Sequence, residues 1–346
     1  MKLPRLLRVV IALAVAMAFL PACERAPTPQ NALEPASGSL LKVRWGGPRN
    51  ISMLPLLAEE RGLFTKEGLS AEFIDIQSGK KAIDALRAGD IDLGVGVDMN
   101  IALAGYEGAD DLRIIASIQL KSDDALIVAS GELQQPNALA GQTIGVTLGT
   151  TTHAYLVHYL ARQGMKPEAA TFQNMPPPAI QAALLNGSLK AGALWQPFRH
   201  NVLAAKPDAF VEWKDPEAYT AHVLLVCTKK FLDEQTARSP GDNDNAITRF
   251  LRALIAAEAD AAQHPRTAIT TLAEKIPLPA DVLTKIWAEY QLRVFLNHEL
   301  LELLQTEGRW IRESVPENNG KPVPEYRPFI AEKLLQSIAS DRVKGL

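Results

Sequence analysis

Cysteine, long apolar runs and excess positive charge are all scarce in this sequence. Cys23 and Cys227 are the two cysteines among 346 residues, so stability must come from burial. With 47% hydrophobic residues, such a chain can bury about three quarters of its unfolded surface, and its length predicts two compact lobes. After the first 20 residues no segment approaches 18 consecutive apolar residues, so we expect no second membrane anchor. A formal charge of −3 without a basic cluster argues against nucleic acid as a partner.

Motifs of the common enzyme classes are missing too. There is no phosphate-binding loop ending in Gly-Lys-Ser/Thr and no Gly-x-Ser-x-Gly turn. Residues 298–302 (HELLE) lack the second histidine of a zinc protease, and the five-residue spacing of His153 and His158 places them on different helix faces. Residues 94–99 (GVGVDM) match a dinucleotide-binding turn only in part, since Met99 replaces the third glycine. We therefore expect no catalytic residues, no metal and no cofactor.

The amino-terminal segment has the pattern of an export signal. Three basic residues precede an apolar run at residues 9–20, which is shorter than the roughly 20 residues that span a bilayer. The sequence Leu-Pro-Ala-Cys at residues 20–23 then resembles a bacterial lipoprotein cleavage box, with Pro21 where a small residue is usual. We predict a signal peptide at residues 1–22 and a lipid on Cys23, which leaves a formal charge of −6. The alternative is an ordinary secretory signal with an incidental cysteine; both predict an exported protein.

Beyond a proline-rich linker at residues 23–39, strand-like and helix-like segments alternate, and the fold should begin near Leu40. Strands are predicted at residues 41–45, 71–76, 93–97, 113–117, 143–146 and 191–194, and helices at residues 53–61, 82–88, 101–106, 152–163 and 178–185. This alternation predicts an α/β fold in which helices cover the faces of sheets with parallel strands. From residue 244 onward the apolar spacing predicts helices packed outside the first lobe.

Residues 82–94 and 179–192 resemble one another, since each places a short helix, a glycine and a buried strand in that order. We interpret them as parts of two similarly built lobes; chance similarity is the alternative. The apolar segments 125–129 and 222–228 are predicted to cross between the lobes. On that basis lobe 1 is residues 40–129 plus 222–346 and lobe 2 is residues 130–221.

A threonine-rich turn offers a binding site for a polar group. Thr150, Thr151 and Thr152 lie between a predicted strand and a predicted helix, next to His153. Hydroxyl groups and the free amide donors of a helix start would meet there, which suits a sulfonate, a carboxylate or a carbonyl oxygen. The alternative is simple capping of the helix by a threonine, which needs no ligand.

Several ordered motifs resemble the nitrate, sulfonate and taurine group of periplasmic binding proteins. They lie at residues 45–48 (WGGP), 56–69 (LLAEERGLFTKEGL), 88–94 (AGDIDLG), 139–146 (LAGQTIGV), 149–153 (GTTTH) and 183–187 (ALLNG). The resemblance covers about residues 41–205. It implies a two-lobed type II periplasmic binding protein fold, with a mostly parallel sheet flanked by helices in each lobe and a ligand cleft between the lobes.

The resemblance also implies which residues face the ligand, all in loops at the carboxyl ends of strands. They are Arg49, Asn50, Ser52, Asp98, Met99, Gln119, Thr150, Thr151, Thr152, His153, Trp195 and Gln196. Trp195 would stack on, or wall off, the apolar part of the ligand; its alternative role is core packing.

Two departures from the family bear on the ligand. Many relatives have Asp-Ala before the last strand and an acidic residue before proline, whereas this chain has residues 190–192 (KAG) and Gln196 before proline. Gln196 is uncharged, Asp98 would favour an amino group, and Arg49 would pair with an anion. A zwitterion such as an aminosulfonate, or a pyrimidine-like heterocycle, satisfies all three side chains.

The resemblance implies the substrate-binding subunit of an ABC importer that performs no chemistry on its solute. Its expected partners are a small-molecule ligand, the permease and ATPase subunits, and the membrane through the lipid on Cys23; we expect a monomer. Lobe closure about residues 125–129 and 222–228 would bury the ligand. Two alternatives are a ligand sensor that docks to a membrane kinase and a pyrimidine-synthase-like enzyme. The enzymes of that kind rely on a cysteine-rich iron-binding stretch, and Cys227 stands alone here.

Overall fold

The computed structural model describes residues 40–122, 126–215, 217–239 and 244–346. The predicted signal peptide, Cys23 and the predicted linker lie outside the described residues, as does Ala125 of the first predicted crossing. Within the described ranges, no helix has both the length and the apolar character needed to cross a membrane.

The strands of the described chain have the following bounds: β1 Leu41–Gly47, β2 Leu69–Asp75, β3 Leu93–Val97, β4 Leu112–Lys121, β5 Leu126–Ser130, β6 Thr143–Val146, β7 Thr171–Asn174, β8 Ala191–Leu194, β9 Phe210–Trp213, β10 Ala221–Thr228, β11 Tyr290–Asn297 and β12 Val343–Lys344. Seven of them form a large sheet in the order β12-β11-β4-β10-β3-β1-β2, and five form a small sheet in the order β7-β6-β8-β5-β9.

Helices separate most of these strands: α1 Met53–Glu60, α2 Leu63–Lys66, α3 Gly79–Ala88, α4 Asp98–Tyr106, α5 Thr151–Arg162, α6 Pro177–Asn186, α7 Phe198–Ala205, α8 Lys229–Arg238, α9 Ala246–Gln263, α10 Pro265–Ala273, α11 Ala280–Ile286, α12 His298–Ser314 and α13 Lys333–Ile338. The predicted α/β class is confirmed, and the predicted strands of residues 93–97, 143–146 and 191–194 have the predicted bounds.

Both sheets are mixed. In the large sheet β1 is parallel to β2 and β3, whereas β10 is antiparallel to β3 and β4. In the small sheet β6 is parallel to β7 and β8, whereas β5 is antiparallel to β8 and β9. The chain enters the small sheet with β5 and returns to the large sheet with β10. Because each of these strands starts at the edge where the parallel strands end, each must run in the opposite direction.

The segments predicted as crossings are therefore themselves strands. Most of residues 125–129 belongs to β5 and residues 222–228 belong to β10, while the chain passes between the sheets just before each of them. The exact division into lobes at residues 130–221 stays a prediction.

The two similar segments form the same unit in each sheet. In the large sheet α3 ends at Gly89 and leads into β3; in the small sheet α6 ends at Gly187 and leads into β8. Both glycines are left-handed, with φ of 81° and 80°, a conformation that costs glycine nothing and other residues much more. The structure thus confirms the helix, glycine and strand predicted in each half.

The carboxyl-terminal region is not wholly helical as predicted, because β11 pairs with β4 inside the large sheet. The helical part behaves as expected: α9 packs on α1 and α2, and it buries Ile247, Phe250, Leu251 and Leu254. Asn245 caps it by accepting from the amides of Ile247 and Thr248, each at 3.1 Å.

Candidate functional site

The carboxyl ends of the parallel strands of the two sheets face each other. Lys121 ends β4 and Leu126 begins β5, and a fully extended chain covers at most about 3.6 Å per residue, so these two Cα atoms lie within about 18 Å. The second crossing joins the end of β9 to the start of β10 at the same two edges. We call the ends of β1, β3 and β4 the large-sheet edge, the ends of β6 and β8 the small-sheet edge, and the space between them the crevice.

The two edges touch directly. Asn50 Nδ2 donates to Gln196 O at 3.3 Å, across the crevice. The rings of His153, from the small-sheet edge, and Trp310, from α12, pack edge to face with their centroids 4.7 Å apart. The structure thus brings three of the predicted site residues, Asn50, His153 and Gln196, to one interface.

The threonine-rich turn forms the start of α5 at the small-sheet edge. Thr150 Oγ1 donates to Thr147 O at 2.6 Å and lies 2.8 Å from Thr152 Oγ1, so these hydroxyls fix the turn. Thr151, Thr152 and His153 are buried. No acceptor among the described residues takes the backbone N–H groups of Thr151 and Thr152, as expected at a helix start. These donors and the helix dipole favour an oxyanion or a carbonyl oxygen.

Two imidazoles near the crevice are uncharged. Burial lowers the pKa of His153 to about 4 and that of His222 to about 4. His153 Nδ1 accepts from Gly149 N at 3.2 Å, and His222 Nδ1 lies 3.1 Å from Ser117 Oγ. Neither ring therefore supplies a positive charge to a bound anion at neutral pH.

Asp98 begins α4 at the large-sheet edge, and its carboxylate is engaged inside the protein. It accepts from Met99 N at 2.8 Å, from the Tyr219 hydroxyl at 2.8 Å and from His222 N at 2.7 Å. Asp98 is completely buried. The carboxylate thus holds the second crossing to the sheet, and these contacts do not support the predicted role in binding an amino group.

Glu307 of α12 lies beside the same carboxylate. The Tyr219 hydroxyl contacts Glu307 Oε1 as well as Asp98, so one hydroxyl bridges two acidic side chains. Burial, followed by the nearby negative charge of Asp98, raises the pKa of Glu307 well above its ordinary value. Glu307 Oε2 is buried and has no hydrogen-bond partner in the described chain. An uncharged Glu307 fits these surroundings.

Gln119 is a predicted site residue whose side-chain amide makes no hydrogen bond to the described chain. Its side chain is buried, yet neither Nε2 nor Oε1 has a hydrogen-bond partner within the described ranges. It lies near the end of β4, opposite Val223 and Leu292. Burying an unpaired polar group costs roughly 1–3 kcal/mol. The amide therefore offers a donor and an acceptor at the large-sheet edge.

Three other predicted residues are engaged elsewhere. Arg49 pairs with Asp75 Oδ2 at 2.6 Å, and Ser52 Oγ donates to Pro48 O at 2.9 Å. Met99 is completely buried in the core of the large sheet. The geometry gives Arg49 no free charge for a ligand anion, because its guanidinium already has a carboxylate partner.

Trp195 and Gln196 follow β8 at the small-sheet edge, as predicted. Trp195 is partly buried and its ring lies edge-on to Phe198, with centroids 6.4 Å apart. Gln196 Oε1 accepts from His200 N at 3.2 Å. The position of Trp195 is compatible with a ligand wall, and that role stays a prediction.

Sequence reasoning missed the contribution of α12. Glu307 and Trp310 were not predicted because the carboxyl-terminal helices were placed outside the first lobe. A signal was present: on α12 the buried residues Leu300, Leu304 and Ile311 repeat at helix spacing, and Glu307 stands on the same apolar face. A buried carboxyl group must be paired or protonated, so a glutamate on an apolar helix face is a candidate site residue.

No group of three or more His, Cys, Asp or Glu side chains in the described chain is arranged to hold a metal ion. Cys227 lies in β10 and is buried, and burial raises the pKa of its thiol.

Two curated relatives align with parts of the chain. The taurine-binding periplasmic protein of Escherichia coli (strain K12) is 29% identical over 142 residues, which is 41% of this chain and 44% of that protein. A putative aliphatic sulfonates-binding protein of Bacillus subtilis (strain 168) is 25% identical over 220 residues, 62% of this chain and 63% of the relative. The chain thus spans less than two thirds of either relative.

Solved structures match over a longer range. The alkanesulfonate-binding protein SsuA from Xanthomonas axonopodis pv. citri, bound to MOPS, has a TM-score of 0.69 at 18% identity. The match covers 86% of this chain and 100% of that one. At this identity the likeness shows the fold, which is that of a periplasmic binding protein.

A family model described as NMT1/THI5 like matches residues 51–268. This match covers more than half of the chain, so the protein belongs to the NMT1/THI5-like family.

Proposed function

We propose that this chain is the extracytoplasmic substrate-binding subunit of an ABC importer. Its solute would be a small sulfonate, taurine-like, nitrate-like or pyrimidine-like molecule. The family and the names of the taurine- and sulfonate-binding relatives support this role. The observation that carries it is the crevice, where the start of α5 and its amide donors lie opposite the large-sheet edge.

The mechanism is capture by closure. A ligand that contacts both edges binds only when they are close, so it shifts the population toward the closed arrangement. Asn50 with Gln196, and His153 with Trp310, make the contacts that closure would form. The two crossings would act as hinges, and the closed form would be recognised by the permease.

The location and the partners belong to the same proposal. The protein would act in the periplasm or at the cell surface as a monomer, held to a membrane by a lipid on Cys23. The pattern at residues 20–23 supports the lipid. Metabolic labelling with a lipid analogue, lost in Cys23→Ser, tests it; export of unlabelled wild-type protein would contradict it.

Ligand screening tests the solute class. The mature chain is heated with taurine, alkanesulfonates, nitrate, carboxylates or pyrimidines, and hits are confirmed by isothermal titration calorimetry. A ligand present at about 100 times its dissociation constant stabilises the protein by about 2.7 kcal/mol. Stabilisation by one of these classes supports the proposal, and failure of all of them contradicts it.

Thr151 and Trp195 test where the ligand binds. Each change, Thr151→Ala or Trp195→Ala, should raise the dissociation constant of the confirmed ligand about fivefold, since one lost hydrogen bond or contact is worth roughly 1 kcal/mol. The melting temperature of the ligand-free protein should hardly change. Thr143→Ala, at the exposed opposite end of β6, is the matched control. A large loss of ligand-free stability would indicate capping or core roles instead.

A further inference from the structure

The second crossing is fastened to the large sheet by a chain of hydrogen bonds. Tyr219 lies in this crossing, between β9 and β10, and its hydroxyl bridges Asp98 Oδ1 and Glu307 Oε1. The backbone N–H of His222, two residues into β10, donates to Asp98 Oδ2 at 2.7 Å. Asp98, Tyr219 and Glu307, here called the acidic clamp, thus join α4, the crossing and α12.

The clamp needs a proton on one of its acids. The Tyr219 hydroxyl has a single hydrogen, which it can donate to one carboxylate only. If both acids were ionised, the second carboxylate would face the tyrosine oxygen and the charge of the first without a donor. With a proton on Glu307, Glu307 donates to Tyr219 and Tyr219 donates to Asp98, and every contact has a donor.

We propose that uncharged Glu307 is a positioning residue for ligand capture, because it completes the clamp that holds the second crossing where the two sheet edges meet. This inference rests on the proposed function. Glu307 does not have to contact the ligand. It acts through Tyr219 on the crossing and, one turn along α12, through Trp310, whose ring packs on His153 across the crevice.

The surroundings of Glu307 contain few charges that could replace the proton. Asp98 faces it from α4 and Tyr219 from the crossing, and these are the groups that act on its pKa besides burial. Tyr326, whose hydroxyl donates to Ala102 O, lies near it from the carboxyl-terminal segment. His222, whose backbone N–H donates to Asp98, and His153, whose ring packs on Trp310, are both uncharged. On α12 itself the neighbouring Arg309 is exposed.

The sign of the pH dependence follows from the raised pKa. The folded protein binds the Glu307 proton more tightly than the unfolded chain does. The clamp is therefore complete at low pH and is lost as the pH rises from the ordinary value of 4.5 through the raised pKa. Alkaline conditions should release the crossing before they unfold the core.

Hydrogen exchange of the crossing tests this without a ligand. Exchange of a peptide spanning residues 217–224 is followed by mass spectrometry between about pH 5 and pH 10 in the wild type and in Glu307→Gln. The glutamine amide donates to Tyr219 at every pH. The ratio of the wild-type rate to the variant rate cancels the intrinsic pH dependence. It should be near one at low pH and rise about tenfold per pH unit above the pKa of Glu307.

Two further variants separate the clamp from general stability. Glu302→Gln makes the same chemical change on the exposed face of α12 and should follow the wild type. Tyr219→Phe removes the bridge and should speed exchange of this peptide at every pH, while peptides from β4 stay protected. A rate ratio that stays at one across the whole range would overturn the proposal, whatever Tyr219→Phe does.

The affinity for taurine, measured across the same pH range, tests whether the clamp affects ligand binding. The dissociation constant of the wild type should rise with pH in parallel with the exchange ratio, and that of Glu307→Gln should not. Absence of taurine binding would remove taurine from the proposed solutes, while the exchange ratio would still decide the clamp. A parallel loss of taurine affinity in both proteins would overturn the positioning role.

Discussion

The polar side chains near the crevice divide into those that hold the protein together and those that are available to a ligand. Asp98 and Arg49 have charged or polar partners within the chain, and Thr150 fixes the turn before α5. Gln119 has none, although it is buried. An unpaired buried amide is a cost that folding alone does not explain, so Gln119 is the side chain whose replacement best distinguishes stability from binding.

Gln119→Leu should stabilise the ligand-free protein and weaken ligand binding. Leucine fills a similar volume and removes the two unpaired polar atoms, which should raise the free energy of unfolding by about 1 kcal/mol. Urea denaturation measures the first effect and calorimetry with the confirmed ligand measures the second. Gln134→Leu, at an exposed position after β5, is the control and should leave binding unchanged. A less stable Gln119→Leu protein would mean that the amide is paired in solution.

At the scale of elements, each helix, glycine and strand unit directs the chain into a strand, β3 or β8, that ends at the crevice. Gly187 ends α6 with φ of 80°, and a Cβ placed there would meet nothing within 4 Å. Gly187→Ala should therefore destabilise the protein through the backbone alone, by about 1 kcal/mol. Gly187→Asn should cost less, because asparagine tolerates the left-handed region better. Equal losses in urea denaturation of the two variants would show that the left-handed backbone conformation does not set the cost.

The sequence predicts elements well where local rules decide them. Alternating strands and helices, with glycine at the helix ends, indicated β3, β6 and β8 with their observed bounds. The sequence did not predict β11, because its place between β4 and β12 depends on pairing with strands about 170 residues earlier in the chain or about 50 later. Glu307 and Trp310 were missed for the same reason. They reach the crevice only because α12 packs on α4, which is far away in the sequence. Strand ends located the threonine turn and Gln119, but could not tell which side chains find partners within the protein.

At the scale of the whole molecule, each sheet has its own apolar core, and the contacts between the sheets are both apolar and polar. The core of the large sheet includes Ala154 from α5, and Tyr219 packs against cores of both sheets. Val157 of α5 packs against the large-sheet core as well, and polar or aromatic contacts, such as Asn50 with Gln196 and His153 with Trp310, add to these apolar ones. Opening such an interface would expose a few apolar side chains, such as Ala154, and would leave most of each core buried, which is what capture by closure requires.

Acid should loosen this interface through His153, a residue that is uncharged when the edges touch. Its pKa of about 4 lies below the ordinary 6.5, so the stability it contributes is present above pH 6.5 and is lost as the pH falls through 4. This loss should reach about 3 kcal/mol, measured by urea denaturation at pH 7 and near pH 4. His153→Gln keeps an acceptor for Gly149 N and cannot gain a proton, so its stability should fall by less over this range. His298→Gln, at an exposed position, should behave as the wild type does. If His153→Gln lost as much stability in acid as the wild type, the ring could not be an uncharged element of the closed interface.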